Sequence, residues 1–394
     1  MNLKMALAVG TAVGLLATGA QADSNLSRII QAGTGNTANV DQAGKNNVAG
    51  SPSYANHALN QNGNNNTIDI SQTGSGNRVG SENNSLPGSS YTAVPSGWGF
   101  GIIYGLLNDG VDQIGSKNTL EITQANPATQ YEGNIVGTVK QTSLLAASAA
   151  ANSATITQNA PGSSGYARNV VGEVIQDNTG GAVNDVDITQ TGANYYNNNR
   201  IVRVTQKGTG NDFDATQTGE GNLLTLAEQK GAGGTGGSNN KIAVSQTGGN
   251  DNLFGSLSQI GDNNYLSATA IGSGNQLVSV SQNNSGAGTV GNSATLSFTG
   301  LNNGVGMLTG DAATVGVTLA TVNQLGDNNQ LSYLVTGNSN LYGFNQIGNT
   351  NSITGTVTNS NNNQVAVYQN GASNTAVFAQ SGGGGNNAGI TQTN

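Results

Sequence analysis

The sequence is poor in the residues on which most enzymes and metalloproteins depend. Its 394 residues include no cysteine, one histidine, one tryptophan and five prolines, and only 8% of them are charged. Without cysteine the chain can form neither a disulfide framework nor a thiolate metal site. The formal net charge of −8 leaves no basic footprint of the kind that nucleic-acid-binding proteins carry. We therefore expect no nucleic acid partner.

Long apolar runs are also scarce, and the one that stands out lies at the start of the chain. Lys4 is followed by an apolar run over residues 5–17 and then by the small residues Ala20 and Ala22. This order predicts a secretory signal peptide over residues 1–22 and an exported chain over residues 23–394. Because the apolar run is too short to cross a bilayer, we expect no membrane span in the mature chain.

Residues that could catalyse a reaction or hold a ligand do not cluster. His57 is the only histidine, and the 12 lysines and arginines are scattered, whereas an active site needs convergent acids, bases and cations. The glycine-rich turns are not followed by the Gly-Lys-Ser/Thr of a phosphate loop, and no calcium-binding repeat is periodic. We expect no enzyme activity, no cofactor and no metal site.

What the chain has instead is one unit that recurs from end to end. The unit is a Gln, a Gly two residues later and an Asn three residues beyond that Gly, and successive copies often lie 11 or 12 residues apart. Self-similarity at a short fixed period is typical of stacked repeat proteins. Clean copies begin at Gln31, Gln42, Gln61, Gln72, Gln113, Gln206, Gln217, Gln259, Gln324, Gln346 and Gln369.

The residues between two units form a frame, Asn-x-φ-x-φ-x-Gln, in which φ is apolar. From Asn66 to Gln72 the apolar positions are Ile68 and Ile70, and polar residues alternate with them. This alternation predicts a half-buried β-strand. In ten such frames every charged residue falls on the outward phase. These residues are Asp41, Asp69, Glu121, Asp185, Asp187, Asp212, Asp214 and Lys241.

Tight turns are predicted to join the strands. Glycine supplies a positive φ there without steric cost. Strand, turn, strand and turn give a rung of about 22 residues, and rungs stacked about 4.8 Å apart give an all-β fold, a cross-β solenoid. The predicted turn glycines are Gly33, Gly63, Gly74, Gly115, Gly208, Gly261, Gly326, Gly348 and Gly371.

The inward Asn and Gln side chains are the candidate functional residues. A buried amide without a partner costs about 1–3 kcal/mol, but in-register rungs allow each amide to bond to the identical amide above and below it. A stacking-core ladder is therefore predicted. Its members are Gln31, Asn36, Gln42, Asn66, Gln72, Asn118, Gln124, Asn211, Gln217, Asn340, Gln346, Asn363, Gln369, Asn374 and Gln380.

One long stretch interrupts the pattern. Residues 81–110 lack the frame and hold the only tryptophan, Trp98, in a run of glycines and large apolar residues. The favoured interpretation is an insertion that packs on the side of the solenoid, and the alternative is a docking element for a secretion or assembly partner.

The repeat resembles that of a known family. The segment from Gln31 to Gln42 matches the curlin repeat, Q-x-G-x-G-N-x-A-x-x-x-Q, at every fixed position, and the segments that begin at Gln72 and Gln206 match its first half. The resemblance implies a secreted subunit of extracellular, curli-like amyloid fibres in bacterial biofilm. It also implies a homopolymer with a nucleator subunit, a periplasmic chaperone and an outer-membrane export pore as partners.

The leading hypothesis for function is thus a structural fibre subunit that grows by templated, end-on addition of rungs. The alternative is a monomeric β-solenoid adhesin or surface-binding protein that uses its side face. An ice-binding face would need a regular outward array of threonines. Asp and Lys interrupt the array here, as Asp69 does beside Thr67.

Overall fold

The computed structural model describes residues 3–8, 25–50, 58–80, 111–126, 133–142, 152–160, 169–177, 184–192, 199–208, 210–230, 238–284 and 290–394, with the backbone alone for residues 3–8. The predicted insertion at residues 81–110 and the remainder of the predicted signal peptide lie outside the described residues. The chain division at residue 22 stays a prediction.

The described residues are almost entirely strand and turn. One short helix, α1 (Gly310–Thr314), is present among them. The strands in chain order are β1 (Leu3–Ala8), β2 (Leu26–Ser27), β3 (Ile29–Ala32), β4 (Thr37–Lys45), β5 (Val48–Ala49), β6 (Leu59–Asn64), β7 (Thr67–Ser75), β8 (Arg78–Val79), β9 (Val111–Ser116), β10 (Thr119–Ala125), β11 (Ile135–Gly137), β12 (Val139–Thr142), β13 (Val170–Gly172), β14 (Leu223–Leu224), β15 (Ala227–Lys230), β16 (Leu253–Ile260), β17 (Gln276–Asn283), β18 (Thr321–Leu325), β19 (Gln330–Leu334), β20 (Leu341–Ile347), β21 (Ser352–Thr358), β22 (Gln364–Asn370), β23 (Thr375–Ser381) and β24 (Asn387–Thr393).

The strands pair in parallel and in register, so that equivalent residues of successive repeats lie side by side. On β4 and β7, Thr37 pairs with Thr67 and Gln42 with Gln72. On β7 and β10 the same columns continue to Thr119 and Gln124. Among the described residues only β1 departs from this rule, because it pairs antiparallel with β4. The predicted all-β solenoid is confirmed.

Two columns of frames run along the solenoid, and we call them the first face and the second face. In both, the N–H that follows the opening Asn donates to the carbonyl oxygen of the opening Asn one rung further on, at 2.7–3.0 Å. The first-face frames open at Asn25, Asn47, Asn77, Asn134, Asn169, Asn199, Asn222, Asn252, Asn275, Asn303, Asn340, Asn363 and Asn386. The second-face frames open at Asn36, Asn66, Asn118, Asn152, Asn184, Asn211, Asn240, Asn264, Asn292, Asn329, Asn351 and Asn374. We number the rungs from 1 to 13 in this order.

The core lies between the two faces and consists of the inward apolar residues of every frame. Ile68 and Ile70 on β7 and Leu120 and Ile122 on β10 are fully buried, since alternate residues of a strand point to the same side. Full burial of such a side chain contributes about 1.5–3 kcal/mol. Each rung contributes only a few such side chains, so a rung is stabilised by packing against its neighbours rather than by its own contacts.

Large aromatic side chains fill the core of the later rungs. Tyr333 and Tyr342 are fully buried with ring centroids 5.2 Å apart. Phe344 lies 5.0 Å from Tyr333 in an edge-to-face arrangement, and Phe378 lies 5.9 Å from Tyr333. Such ring pairs add stabilisation beyond the area that they bury.

All departures from the regular frame in the described rungs occur on the first face. There the spacing from Asn to Gln is six residues in rungs 1, 11, 12 and 13, and seven in rungs 4 to 9, as from Asn134 to Gln141. In rungs 2, 3 and 10 it is longer still. Every second-face frame keeps a spacing of six residues from its Asn to the last inward position.

The first-face insertion of rung 10 folds back as a strap over later rungs. The chain leaves the frame after Asn303 and rejoins it at Ala320, whose N–H donates to the carbonyl of Tyr342 at 2.7 Å. The strap carries α1, which packs on β22 and β24. The Ala312 N–H donates to Asn387 Oδ1 at 2.7 Å, and Asn387 Nδ2 donates to the Thr309 carbonyl at 2.6 Å.

Within the described ranges, the longest helix is far short of the length that a membrane crossing requires.

Candidate functional site: the amide ladders

The opening Asn of each frame closes the turn before it and bonds to the next rung. The Asn36 side chain donates from Nδ2 to the carbonyls of Ala32, at 2.9 Å, and Gly63, at 2.8 Å. Its Oδ1 accepts the N–H of Asn66 at 3.0 Å. The next step repeats this bond, because the N–H of Asn118 donates to Asn66 Oδ1 at 3.0 Å. Each Asn thus satisfies backbone groups that a tight turn would otherwise leave unpaired.

Gln side chains that close a frame bond in two directions, as Gln42 and Gln61 do. Gln42 donates from Nε2 to Oε1 of Gln72, its equivalent one rung on, at 2.7 Å. It also donates to the carbonyl of Leu26 across the rung at 3.0 Å. Gln61 repeats this with Gln113 and with the carbonyl of Thr37, each at 3.0 Å. The Gln therefore joins rung to rung and one face to the other.

Four amide ladders result, an Asn ladder and a Gln ladder on each face. A Gln occupies the first-face closing position of every rung: Gln31, Gln61, Gln113, Gln141, Gln176, Gln206, Gln229, Gln259, Gln282, Gln324, Gln346, Gln369 and Gln392. Gln229 and Gln259 pair through their strands, but the Oε1 atom of neither has a hydrogen-bond partner among the described residues.

The second-face Gln ladder is interrupted. It runs from Gln42 through Gln72, Gln124, Gln158, Gln190 and Gln217 to Gln246. In the next four rungs fully buried apolar residues occupy the same position, namely Ala270, Phe298, Val335 and Val357. The exchange is collective, since a lone amide among apolar neighbours would lack a partner.

The predicted ladder residues are distributed over all four ladders. Gln31, Gln346 and Gln369 lie in the first-face Gln ladder. Asn340 and Asn363 lie in the first-face Asn ladder, with the Asn363 N–H donating to Asn340 Oδ1 at 3.0 Å. The remaining predicted members lie on the second face: Asn36, Gln42, Asn66, Gln72, Asn118, Gln124, Asn211, Gln217, Asn374 and Gln380.

Most of these side chains are buried, while Gln31 and Asn374 are half-buried. Among the described residues, the Oε1 atoms of Gln124 and Gln380 have no hydrogen-bond partner. Gln380 stands next to the apolar run, because β23 pairs it with Val357.

Sequence reasoning missed much of the first face. The frames of rungs 4 to 9 keep both amides but hold one additional residue between them, as in Asn169 to Gln176. In rungs 2, 3 and 10 the insertion separates the two amides entirely. The unit Gln-x-Gly-x-x-Asn could have identified at least one end of the frames in rungs 2, 3, 6, 7, 8 and 10, but no clean copy borders the frames of rungs 4, 5 and 9.

Glycine is required where the turns of neighbouring rungs touch. Gly63 has a φ of 137° and stacks on Gly115 of the next rung, and a Cβ added to it would collide with the Gly115 carbonyl oxygen. The predicted turn glycines with a positive φ are Gly33, Gly63, Gly74, Gly115, Gly261, Gly326, Gly348 and Gly371, with values between 96° and 137°. Gly208 lies in the bend after Gln206, next to residue 209, which lies outside the described residues.

Four carboxylates stack on two successive second-face rungs. Asp185 and Asp187 lie on rung 5, Asp212 and Asp214 lie on rung 6, and Lys241 on rung 7 contacts both carboxylates of rung 6 at 2.7 Å. Burial raises the pKa of Asp185 above its ordinary value, and the neighbouring carboxylates raise it further. Burial also raises the pKa of Asp212. Although burial opposes it, hydrogen bonding to the two carboxylates raises the pKa of Lys241.

The carboxylates of this group are not arranged as the ligands of a metal ion. Within the described part of the chain, no three His, Cys, Asp or Glu side chains are placed to hold a metal ion. The chemistry that the arrangement supports is hydrogen bonding between identical rungs.

Three regions of the chain match a known repeat. Residues 33–74, 63–125 and 361–393 match the family model of the curlin associated repeat. They include the regular second-face frames of rungs 1 to 3 and the frames of rung 12. No curated protein matches the chain significantly.

Proposed function

We propose that this chain, which belongs to the curlin-repeat family, is a structural subunit of extracellular, curli-type amyloid fibres that grow by end-on addition of rungs. The family is one of structural amyloid subunits. The fibre, its mode of growth and its place outside the cell are our proposal for this chain.

The proposal rests on one observation: in the ladders, the same residue type stands on both sides of the contact between two rungs. Gln346 donates to Gln369 at 3.0 Å, and Gln369 donates to Gln392 at 2.7 Å. Asn363 and Asn386 repeat the Asn bond at 3.1 Å. Each of these Gln side chains therefore presents a hydrogen-bond donor on one side of its rung and the matching acceptor on the other. The same contact can join rungs of different chains, as it does in cross-β fibres.

Energetics favour stacking over isolated rungs. Ordering a backbone costs about 1–2 kcal/mol per residue, whereas the few inward apolar residues of a rung contribute about 1.5–3 kcal/mol each. A rung at the end of a stack is stabilised from one side only. When a rung of another chain is added, the apolar side chains of the terminal rung become buried and its amides gain hydrogen-bond partners.

The wider setting follows from the same family. We propose a role in biofilm, adhesion and surface colonisation. We also propose a nucleator subunit, a periplasmic chaperone and an outer-membrane export pore as partners, with residues 1–22 as the signal peptide that directs export.

Fibre diffraction with electron microscopy tests the proposal. Residues 23–394 are purified in denaturant, diluted into buffer and followed for days. We expect unbranched fibres with a meridional reflection at about 4.7–4.8 Å. A soluble, β-rich monomer that never elongates would reject the fibre and favour the monomeric adhesin. As a control, the Gln346→Leu and Gln369→Leu double variant should elongate more slowly than the wild type under identical conditions.

A further inference from the structure

The second face is the one uninterrupted surface of the described solenoid. Its twelve frames keep the same spacing from Asn36 to Gln380, without a bulge or an insertion. The first face carries a one-residue bulge in rungs 4 to 9 and insertions in rungs 2, 3 and 10. The strap of rung 10 also covers the first face of rungs 12 and 13, where Thr309 and Gln364 exchange two hydrogen bonds at 2.6 and 2.7 Å. A flat partner can therefore approach the second face but not the strapped part of the first.

The area of the second face is sufficient for a stable interface. Rungs about 4.8 Å apart and strands that rise about 3.3 Å per residue give twelve frames of seven residues a footprint of about 1,300 Å². A standard specific interface buries about 800 Å² on each partner.

Charge on this face is divided between its two halves. All seven carboxylates belong to rungs 1 to 6: Asp41, Asp69, Glu121, Asp185, Asp187, Asp212 and Asp214. Lys241 on rung 7 is the single cation. The outward positions of rungs 8 to 12 are uncharged, and ten of these fifteen residues are Ser or Thr.

Two symmetric arrangements would bring a pair of second faces together. A two-fold axis along the solenoid places each rung opposite the same rung of the partner, so Asp69, Glu121 and Asp187 would each face their own copy. Juxtaposed like charges disfavour this arrangement. A two-fold axis along the strands places rung 1 opposite rung 12 and rung 6 opposite rung 7, while each residue keeps its position along the strand.

We propose that two copies of the chain pack laterally through their second faces in this second, antiparallel arrangement. It places Asp69 opposite Thr354, Glu121 opposite Ser332 and Asp187 opposite Ser267. It also places Asp212 opposite Lys241 at the centre. Asp185 faces Tyr265, which is 41% exposed. Five of the seven carboxylates thus meet hydroxyl or ammonium donors, while Asp41 and Asp214 face Ala379 and Ala243. Such a self-complementary, isologous contact is the commonest kind in homo-oligomers.

Disulfide trapping tests the pairing, because the chain has no cysteine of its own. Thr155 and Thr295 occupy the central outward positions of rungs 4 and 9. Chains that carry Thr155→Cys are mixed with chains that carry Thr295→Cys and oxidised under assembly conditions. Since both sites lie well inside the stack, end-on contacts between chains do not bring them together.

We expect Thr155→Cys to cross-link to Thr295→Cys in large excess over either self-pair. Three outcomes would each overturn the proposal. They are self-linking of Thr155→Cys, a mixed product in only the twofold excess over each self-pair that random pairing gives, and the absence of any cross-link. Ser281→Cys on the first face is the matched control and should remain unlinked. Because pairing needs the solenoid but not end-on growth, cross-linked pairs without fibres would reject the fibre alone, and fibres without cross-links would reject the pairing alone.

Charge reversal provides a second measurement. Lys241→Glu places like charges at the centre and should lower the cross-linked fraction by about tenfold. Adding Asp212→Lys and Asp214→Lys to the Lys241→Glu chain restores opposite charges across the axis and should recover cross-linking. Unchanged cross-linking in Lys241→Glu would contradict the proposed centre.

Discussion

Gln217 donates its side-chain Nε2 to Oε1 of Gln190 at 2.6 Å, and Gln190 donates in the same way to Gln158 at 2.7 Å. The residues are 27 and 32 positions apart in sequence but adjacent in the stack. All three side chains are fully buried. Gln190 thus donates to the equivalent Gln on one side and accepts from the equivalent Gln on the other.

Replacing Gln190 with Leu should destabilise the solenoid more than its change in volume indicates. The substitution leaves buried groups of Gln158 and Gln217 unpaired, at about 1–3 kcal/mol for each. Denaturant unfolding should show the loss as a lower midpoint, and the fibrillation lag should lengthen. Thr189→Val, which alters the adjacent outward residue, is the control and should change neither by a comparable amount. Equal effects of the two variants would argue against the ladder.

Replacing Gly63 with Ala should disturb the stacking of turns. Its φ of 137° disfavours any residue with a Cβ, and that Cβ would strike the carbonyl of Gly115 in the next rung. Gly248→Ala is a matched control in another turn, since an added Cβ there meets nothing within 4 Å. We expect a loss of at least about 1 kcal/mol in the free energy of unfolding for Gly63→Ala and little change for Gly248→Ala. If Gly63→Ala unfolds as the wild type does, the turn is not close-packed.

The two buried tyrosines should respond in opposite ways to removal of their hydroxyls. The Tyr342 hydroxyl donates to the Gln276 carbonyl at 2.6 Å, whereas among the described residues the Tyr333 hydroxyl has no partner. Burial raises the pKa of Tyr333. Tyr342→Phe should cost about 1 kcal/mol, and Tyr333→Phe should be neutral or stabilising because it removes an unsatisfied buried group. Thermal unfolding of the two variants measures this difference, and a larger loss in Tyr333→Phe would contradict it.

Acidic pH should stabilise the region around rungs 5 and 6. Burial raises the pKa of Asp185 and Asp212 above the ordinary value of 3.8, so the folded state holds their protons more tightly than the unfolded state does. Their contribution to stability is full below that value and is lost as the pH rises through the folded-state pKa.

The free energy of unfolding should therefore fall from about pH 4 towards neutrality, and Asp185→Asn should flatten this slope. Asp311→Asn, in the strap and away from the second face, should leave it unchanged. A wild-type stability that rises over the same interval together with an unaffected slope in Asp185→Asn would contradict the effect.

The second face could be read from the sequence because its spacing is never broken, even in the four frames where an apolar residue replaces the closing Gln. From Asn66 to Gln72, strand, amides and burial all follow from the alternation of a single frame, and the charges at Asp69 and Asp187 mark the outward side. The first face obeys the same physics, but its frames are lengthened, so the period that identifies a strand is lost between Asn77 and Gln113. Nothing local to Thr309 indicates its bond to Asn387, 78 residues later.

That bond has a consequence for how the repeat array can change over time. Elsewhere, duplication or deletion of one rung of about 22 residues shifts the ladders by one step and preserves the amide contacts between rungs. Between rungs 10 and 13 the strap spans a fixed distance along the stack, because Thr309 must bond to Asn387 and Gln364 at the same time. Gain or loss of one rung in that interval would leave the strap out of step. The strap thus fixes the number of rungs locally, whereas the amide contacts elsewhere would form again between new neighbours.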